Sequence, residues 1–216
     1  MTFQLTEPIL LIGLGGVGAR LAEKAKKSLN SDCLLISHDQ KDLTTENSIK
    51  ISTKSVVNPS THLIRGSTLE TSDEIKKNIA NYSTVILMSN LAGKAGTGIG
   101  PIVSRICKQE QKNLLSFVVM PFKFEKERIF QSGIALKRIR QDSQCTIVVD
   151  NDALLDSNPD LTQNQCYDIS NKAIESIMHS LKSSEISGDI NILSTGKAAS
   201  DIEVSLKDSL RMLYED

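Results

Sequence analysis

The chain has 216 residues, of which 39% are hydrophobic and 24% charged, and its formal net charge is −1. This length and composition are typical of one large α/β domain. The near-neutral charge argues against nucleic acid as the main partner, because nucleic-acid-binding domains are usually strongly basic. The four cysteines form no C-x-x-C pair, the three histidines are scattered, and no membrane-length apolar run or lipidation motif is present. We therefore expect a cytoplasmic protein with reduced cysteines, no protein-held metal and no direct membrane insertion.

The first third of the chain alternates apolar runs with amphipathic or polar segments. Short apolar, β-branched runs predict buried strands, and apolar residues spaced three or four apart predict helices. In chain order we predict a strand at 8–13, a helix at 17–29, a strand at 33–37, a long polar excursion at 41–60 and a short strand at 62–65.

The same alternation continues to the end of the chain. A helix is predicted at 72–80, with Ser72 as its cap. The remaining predictions are strands at 83–89, 114–120, 146–149 and 190–193, helices at 101–111 and 125–140, a long core helix at 162–183, and a terminal amphipathic helix at 200–214.

Regular alternation of strands and helices indicates a Rossmann-like α/β fold, with a mostly parallel sheet covered by helices on both faces. We predict a single domain spanning residues 1–216. Ligands in such folds bind beyond the carboxyl ends of the strands, and two glycine-rich segments fall there.

The first glycine-rich segment, Gly13-Leu-Gly-Gly-Val-Gly18, matches G-x-G-x-x-G between a strand and a helix. Glycine permits a tight turn and brings the backbone close to a phosphate. Asp39 lies 21 residues after Gly18, near the position of the acidic residue that holds a ribose in dinucleotide-binding folds. An NAD-dependent or adenylating enzyme of the Rossmann type is therefore one interpretation of this segment.

The second glycine-rich segment covers residues 90–101, Asn-Leu-Ala-Gly-Lys-Ala-Gly-Thr-Gly-Ile-Gly-Pro. It is predicted as a loop between a β-branched strand and a helix. Backbone N–H groups of such a loop, with the helix N-terminus behind it, form a cradle for phosphate. Two such units in one domain favour a nucleotide ligand more strongly than either alone.

Taken together, several segments resemble the FtsZ/tubulin superfamily. Residues 92–101 resemble its GGGTGTG loop, although only Gly96, Thr97 and Gly98 match closely. Residues 121–125, Pro-Phe-Lys-Phe-Glu, resemble the PFxFE end of an FtsZ strand, and residues 149–155 resemble its NDxLL loop. The order and spacing of these segments also fit, over residues 8–205.

This resemblance implies that GTP or GDP binds, with Mg²⁺ possible, and it assigns roles by position. Thr97 would hold the outer phosphates, Glu125 would contact the ribose, Arg128 would contact phosphate or sugar, and Asn151 would close the sugar side. Tyr167 would lie against guanine, and Asn171 would read its edge. The full implied set is Gly15, Gly16, Gly18, Gly93, Lys94, Ala95, Gly96, Thr97, Gly98, Glu125, Arg128, Asn151, Tyr167 and Asn171.

Two departures from the family pattern bear on chemistry. Asn171 stands where the family has an Asp, and an amide cannot accept from both donors on the guanine edge as a carboxylate can. Asp168, one position after Tyr167, could compensate. Leu193 stands where the family has its catalytic Asp, and leucine cannot position a water for hydrolysis. The chain also ends one helix later, where the family continues into a second domain.

The sequence therefore predicts an FtsZ/tubulin-like nucleotide-binding protein that acts by nucleotide-dependent self-association or by binding an FtsZ-like partner, with weak or absent GTP hydrolysis. Cytoskeletal, cell-division or membrane-remodelling roles would follow from the resemblance. Two alternatives stay open: the Rossmann-type enzyme, and a structural scaffold that no longer binds a nucleotide.

Overall fold

A computed structural model describes residues 5–54 and 57–182 of the chain. Six parallel strands form one sheet in the order β3-β2-β1-β4-β5-β6. The strands are β1 (Ile9–Leu14), β2 (Asp32–Ser37), β3 (Ser48–Lys50), β4 (Thr84–Asn90), β5 (Asn113–Val119) and β6 (Cys145–Val149).

Helices cover both faces of this sheet, so the predicted fold class is confirmed. They are α1 (Gly15–Leu29), α2 (Thr61–Glu70), α3 (Ser72–Ile79), α4 (Lys94–Gln109), α5 (Lys126–Asp142), α6 (Asn151–Ser157) and α7 (Gln163–Lys182), with a 3-10 turn at Gln40–Asp42.

Strand residues alternate between two apolar layers because successive side chains point to opposite faces of a sheet. Leu11 and Ile86 pack in the layer that contains α1 and α7. Leu10 and Val85 pack in the opposite layer, with residues of α2, α3 and α4. Burial on both faces explains why the strands appear in the sequence as continuous apolar runs.

The strand order reverses between β1 and β4. From β1 the chain builds outward to β2 and β3, then returns to β4 and continues to β5 and β6 on the other side. The last paired residues of these central strands are Leu14 and Ser89. Both glycine-rich segments begin at these strand ends, so they lie at the switch point of the sheet, where α/β folds bind ligands.

The short strand predicted at 62–65 is wrong, because this segment lies inside helix α2. Ser60 begins the helix, and its side-chain oxygen accepts a hydrogen bond from the Leu63 N–H at 3.2 Å. Ile64 is fully buried against the α4 side of the sheet. A cap and one buried anchor therefore determine the helix, and a four-residue apolar pattern is too short to distinguish it from a strand.

The loop predicted at 90–101 is only partly a loop, because α4 begins at Lys94 and continues through Pro101. Proline has no N–H, so it leaves the carbonyl of Thr97, four residues earlier, without its helical donor. The guanidinium Nη2 of Arg65 donates to that carbonyl at 3.3 Å. A side chain from α2 thus replaces the missing backbone bond.

Smaller differences concern β3 and the start of α3. The excursion predicted at 41–60 contains the edge strand β3. Ser72 does not cap α3, since its hydroxyl donates to the Leu69 carbonyl at 2.7 Å. The elements predicted at 190–193 and 200–214 lie outside the described residues. Within the described ranges, no helix is both long and apolar enough to cross a membrane.

Candidate functional site

The two glycine-rich segments meet at the carboxyl edge of the sheet. Gly15 has a φ of +64°, a left-handed conformation that strongly favours glycine. A Cβ atom placed on Gly15 would lie 2.8 Å from the Cβ of Ala95, and one on Gly16 would lie 2.7 Å from a carboxylate oxygen of Asp42. The first segment therefore packs directly on the start of α4.

Other glycines of the predicted site serve close packing. A Cβ on Gly18 would collide with the carbonyl oxygen of Met88, and one on Gly96 with that of Asn90. A Cβ on Gly98 would lie 2.9 Å from the Ile64 side chain. These glycines let α1 and α4 approach the end of β4 and let α2 approach α4.

A cleft of about 1010 Å³ opens beside this junction. Ligand pockets in proteins typically have volumes of about 300–1,000 Å³, so the cleft can accommodate a nucleotide. Its lining residues come from α1, α2, the β4–α4 segment, α5 and α7: Val17, Arg20, Lys24, Thr61, Asn90, Leu91, Ala92, Gly93, Lys94, Thr97, Glu127, Arg128, Gln131, Asn164, Tyr167, Asp168 and Asn171.

The N-terminus of α4 forms part of the cleft lining. The first turn of a helix leaves backbone N–H groups without intrahelical partners, and the helix dipole makes this end positive. Gly93 at the N-cap position has no side chain to satisfy them, and the first turn contains no acidic residue. The hydroxyl of Thr97 donates to the Gly93 carbonyl at 3.1 Å. This end is suited to an anion such as phosphate.

Helix α7 contributes an aromatic ring and polar groups to the cleft lining. Tyr167, Asp168 and Asn171 all line the cleft. The Tyr167 ring packs edge-on against Phe122, with the ring centroids 5.5 Å apart and a 72° interplanar angle, and burial raises the pKa of its hydroxyl. Asp168 and Asn171 are three residues apart, so they share one face of the helix. A planar base lying here could therefore meet both side chains.

Glu125 and Asn151, two predicted site residues, are engaged within the protein and do not line the cleft. Glu125 accepts from the guanidinium of Arg128 at 2.6 Å and from the Phe122 N–H at 3.2 Å. Asn151 is fully buried, accepts from the Ser170 hydroxyl at 2.6 Å and donates to the Met120 carbonyl. In this structure both residues position neighbouring elements.

Sequence reasoning missed Arg20 and Lys24, which line the cleft from α1. Val17, Arg20 and Lys24 are spaced three and four apart, and this helical stripe directly behind the glycine segment was a usable signal. Lys24 is held by Glu175 of α7 at 2.7 Å. The cleft lining contains more basic side chains, Arg20, Lys24, Lys94 and Arg128, than acidic ones, Glu127 and Asp168.

Neither a metal cluster nor a reactive thiol is found among the described residues. Within residues 5–54 and 57–182, no group of three or more His, Cys, Asp or Glu side chains could hold a metal ion. Mg²⁺ commonly binds through substrate phosphates with few protein ligands, so the cleft is compatible with a magnesium nucleotide. Burial raises the pKa of the Cys107 thiol to about 12, which makes this cysteine an inert core residue.

The fold and the cleft define the class of protein: an open, parallel α/β domain with a ligand-sized cleft at the switch point of its sheet. Residues 8–159 match the model of the tubulin/FtsZ family GTPase domain. The chain therefore belongs to the tubulin/FtsZ family, which confirms the resemblance seen in the sequence.

Known proteins of this family share modest identity with the chain. Cell division protein FtsZ 1 of Halobacterium salinarum is 27% identical over 192 residues, covering 83% of this chain and 47% of the relative. Cell division protein FtsZ of Haloferax mediterranei is 33% identical over 115 residues, covering 53% and 30%. The chain thus spans less than half the length of these curated relatives.

Solved structures show the same fold. An FtsZ dimer of Methanocaldococcus jannaschii has a TM-score of 0.70 at 19% identity, covering 94% of this chain and 61% of that one. A CetZ of Methanosaeta thermophila has a TM-score of 0.68 at 17% identity, covering 87% and 58%. The match lies in the architecture of the described domain.

Proposed function

We propose that this protein binds GTP or GDP in the cleft and acts by nucleotide-dependent self-association or by binding an FtsZ-like partner. The observation that carries this proposal is the meeting of two glycine-rich segments at the switch point, beside a cleft lined by both a positive helix end and an aromatic ring. Membership of the tubulin/FtsZ family and the FtsZ relatives support a cytoskeletal or cell-division role in the cytoplasm.

In this arrangement different residues would contact the phosphates, the sugar and the base of the nucleotide. The N-terminal turn of α4, with Gly93 and Thr97, would bind the phosphates through backbone N–H groups and a hydroxyl. Arg128 would meet the sugar or a phosphate, and Tyr167 would lie against the base. Asn171 and Asp168 would read the base edge, with Asp168 accepting from the adjacent donors of guanine.

A thermal-shift comparison of GTP, GDP, ATP and NAD, each with and without Mg²⁺, tests the proposal. A ligand at a hundred times its Kd adds about 2.7 kcal/mol to stability. For a domain of this size the melting temperature should rise by roughly 5–11 °C. We expect the melting temperature to rise with GTP or GDP and to stay unchanged with ATP and NAD. A shift with NAD or ATP would favour the Rossmann-type enzyme, and no shift would favour a scaffold.

We further propose that intrinsic GTP hydrolysis is weak or absent. Leu193, which lies outside the described residues, stands where the resemblance places a catalytic acid. Phosphate release should be low in the unmodified protein and should rise in Leu193→Asp, with Leu193→Asn as the uncharged control. Fast release by the unmodified protein would contradict this part of the proposal.

A further inference from the structure

Lys94 is a cation held by neutral groups at the edge of the cleft. Its Nζ donates to the side-chain oxygen of Asn58 at 2.6 Å and to the carbonyl of Pro59 at 3.0 Å. No carboxylate of the described residues lies within 4.0 Å of this ammonium. By contrast, Lys24 and Arg128, two other cations of the cleft, are paired with carboxylates.

The position of Lys94 is unfavourable for the helix that it begins. Lys94 is the first residue of α4, and α4 has no acidic residue in its first turn. Positive charge at a helix N-terminus opposes the helix dipole, which favours anions there. Natural sequences break such local rules mainly at functional sites, where a ligand compensates for the cost.

We propose that Lys94 exchanges Asn58 and Pro59 for the terminal phosphate of a nucleoside triphosphate and thereby distinguishes triphosphate from diphosphate. This inference rests on the proposed function. The side chain is a flexible four-carbon stem with a compact charge, so it can turn from one acceptor to another. In its present bonds the ammonium meets neutral oxygens, whereas a phosphate oxygen is also charged, so the added Coulomb attraction favours the exchange.

The Lys94 ammonium would neutralise part of the phosphate charge that Mg²⁺ otherwise neutralises. A triphosphate carries one more phosphate than a diphosphate, and an ammonium at the start of α4, on the cleft lining, can compensate that additional charge. Triphosphate binding should therefore depend less on Mg²⁺ when Lys94 is present than when its charge is removed.

Calorimetric titration of GTP and GDP, with and without Mg²⁺, tests this role in the full chain. Lys94→Gln should weaken GTP binding about tenfold, as expected for the loss of one charge-assisted bond. GDP binding should change much less, and the loss for GTP should be larger without Mg²⁺. Lys94→Arg should retain the preference for triphosphate. Lys77→Gln, the same charge change at an exposed position on α3 outside the cleft, should leave both affinities unchanged.

The possible failures can be distinguished. If the unmodified protein binds no guanine nucleotide, the proposed function is wrong. If it binds both, and Lys94→Gln weakens both equally or neither, the role of Lys94 is wrong and the proposed function stands. The unmodified protein gives a check without any variant: without Mg²⁺ it should bind GTP more tightly than GDP, and the reverse order would overturn the inference.

Discussion

Ser89 and Ser132 are both buried serines, but they differ in their hydrogen bonds. The Ser132 hydroxyl lies 2.7 Å from the carbonyl oxygens of Leu91 and Arg128. The Ser89 hydroxyl has no partner among the residues that the structure describes. It lies beside Gly96, whose Cβ position would be 2.8 Å away. Burying a hydroxyl without a partner costs free energy, whereas a bonded one contributes to stability.

Ser89→Ala should therefore raise the free energy of unfolding by about 1 kcal/mol, because it removes an unsatisfied polar group. The matched variant Ser132→Ala should lower it by about 1–3 kcal/mol, because it removes the hydroxyl donor from the Leu91 carbonyl. Urea unfolding followed by circular dichroism measures both. Equal destabilisation by the two substitutions would show that Ser89 has a partner.

His38 at the end of β2 should make stability depend on pH. Burial lowers the pKa of His38, while Asp42 and Asp39 act to raise it and Lys94 acts to lower it. In the unfolded chain the histidine takes up a proton below about pH 6.5. The folded state resists this protonation, so stability is complete above that pH and is lost as the pH falls towards the lower pKa of the folded state.

Unfolding measured from pH 8 to pH 5 should show this loss in the unmodified protein, and His38→Gln should reduce it. His62→Gln, at an exposed position on α2, is the control and should leave the pH dependence unchanged. If the His38 variant keeps the same slope as the unmodified protein, other groups cause the loss.

At the scale of secondary-structure elements, α4 depends on the bond that Arg65 donates across from α2. Arg65→Met keeps the apolar stem but leaves the Thr97 carbonyl without a hydrogen-bond donor. It should lower the free energy of unfolding by about 1–3 kcal/mol. Pro101→Ala restores an N–H that can donate to the same carbonyl, so Arg65→Met should cost less in that background. A double-mutant cycle by chemical unfolding measures this coupling. If the two substitutions change the free energy of unfolding by amounts that simply add, the Arg65 side chain does not replace the backbone bond that Pro101 removes.

The elements that the sequence predicted well are those with long, consistent patterns. The central strands β1 and β4 are continuous apolar runs because both faces of the sheet are covered, and α7 repeats its apolar spacing over many turns. The start of α4 was missed because its glycines favour a loop, and only packing on Asn90 and Ile64 explains them as helix. Helix α2 was predicted as a short strand because its apolar pattern is brief and a tertiary contact, the burial of Ile64, helps to determine it.

The part of the candidate site that could be predicted from the sequence consists of side chains that line the cleft. The residues that pack within the protein could not be told apart from ligand-binding ones. Thr97, Tyr167 and Asn171 line the cleft at the positions that the family pattern implied. Gly18 and Asn151 were assigned to the nucleotide, yet their described contacts are with the protein. A pattern of residue types cannot separate these roles, because close packing and ligand approach both require small or polar groups.

At the scale of the whole molecule, Gly18 controls how α1 lies on the middle of the sheet. Gly18→Ala would press a methyl group against the Met88 carbonyl oxygen, and α1 in turn shares an apolar layer with α7, which includes Ala22 and Ile174. We expect a loss of about 3 kcal/mol, as in overpacked cores. The control is Gly66→Ala in α2, where a Cβ would have no atom within 4 Å. It should gain about 0.5–1 kcal/mol from helix propensity, as measured by thermal unfolding.

The walls of the cleft come from opposite ends of the described chain, since α1 supplies Val17 and Arg20 while α7 supplies Tyr167 and Asn171. During synthesis on the ribosome α1 emerges early, and α7 emerges only after more than a hundred further residues. Domains generally fold as units during synthesis. The cleft is therefore complete only after α7 has packed against the rest of the domain, so the full ligand site forms at a late stage of folding.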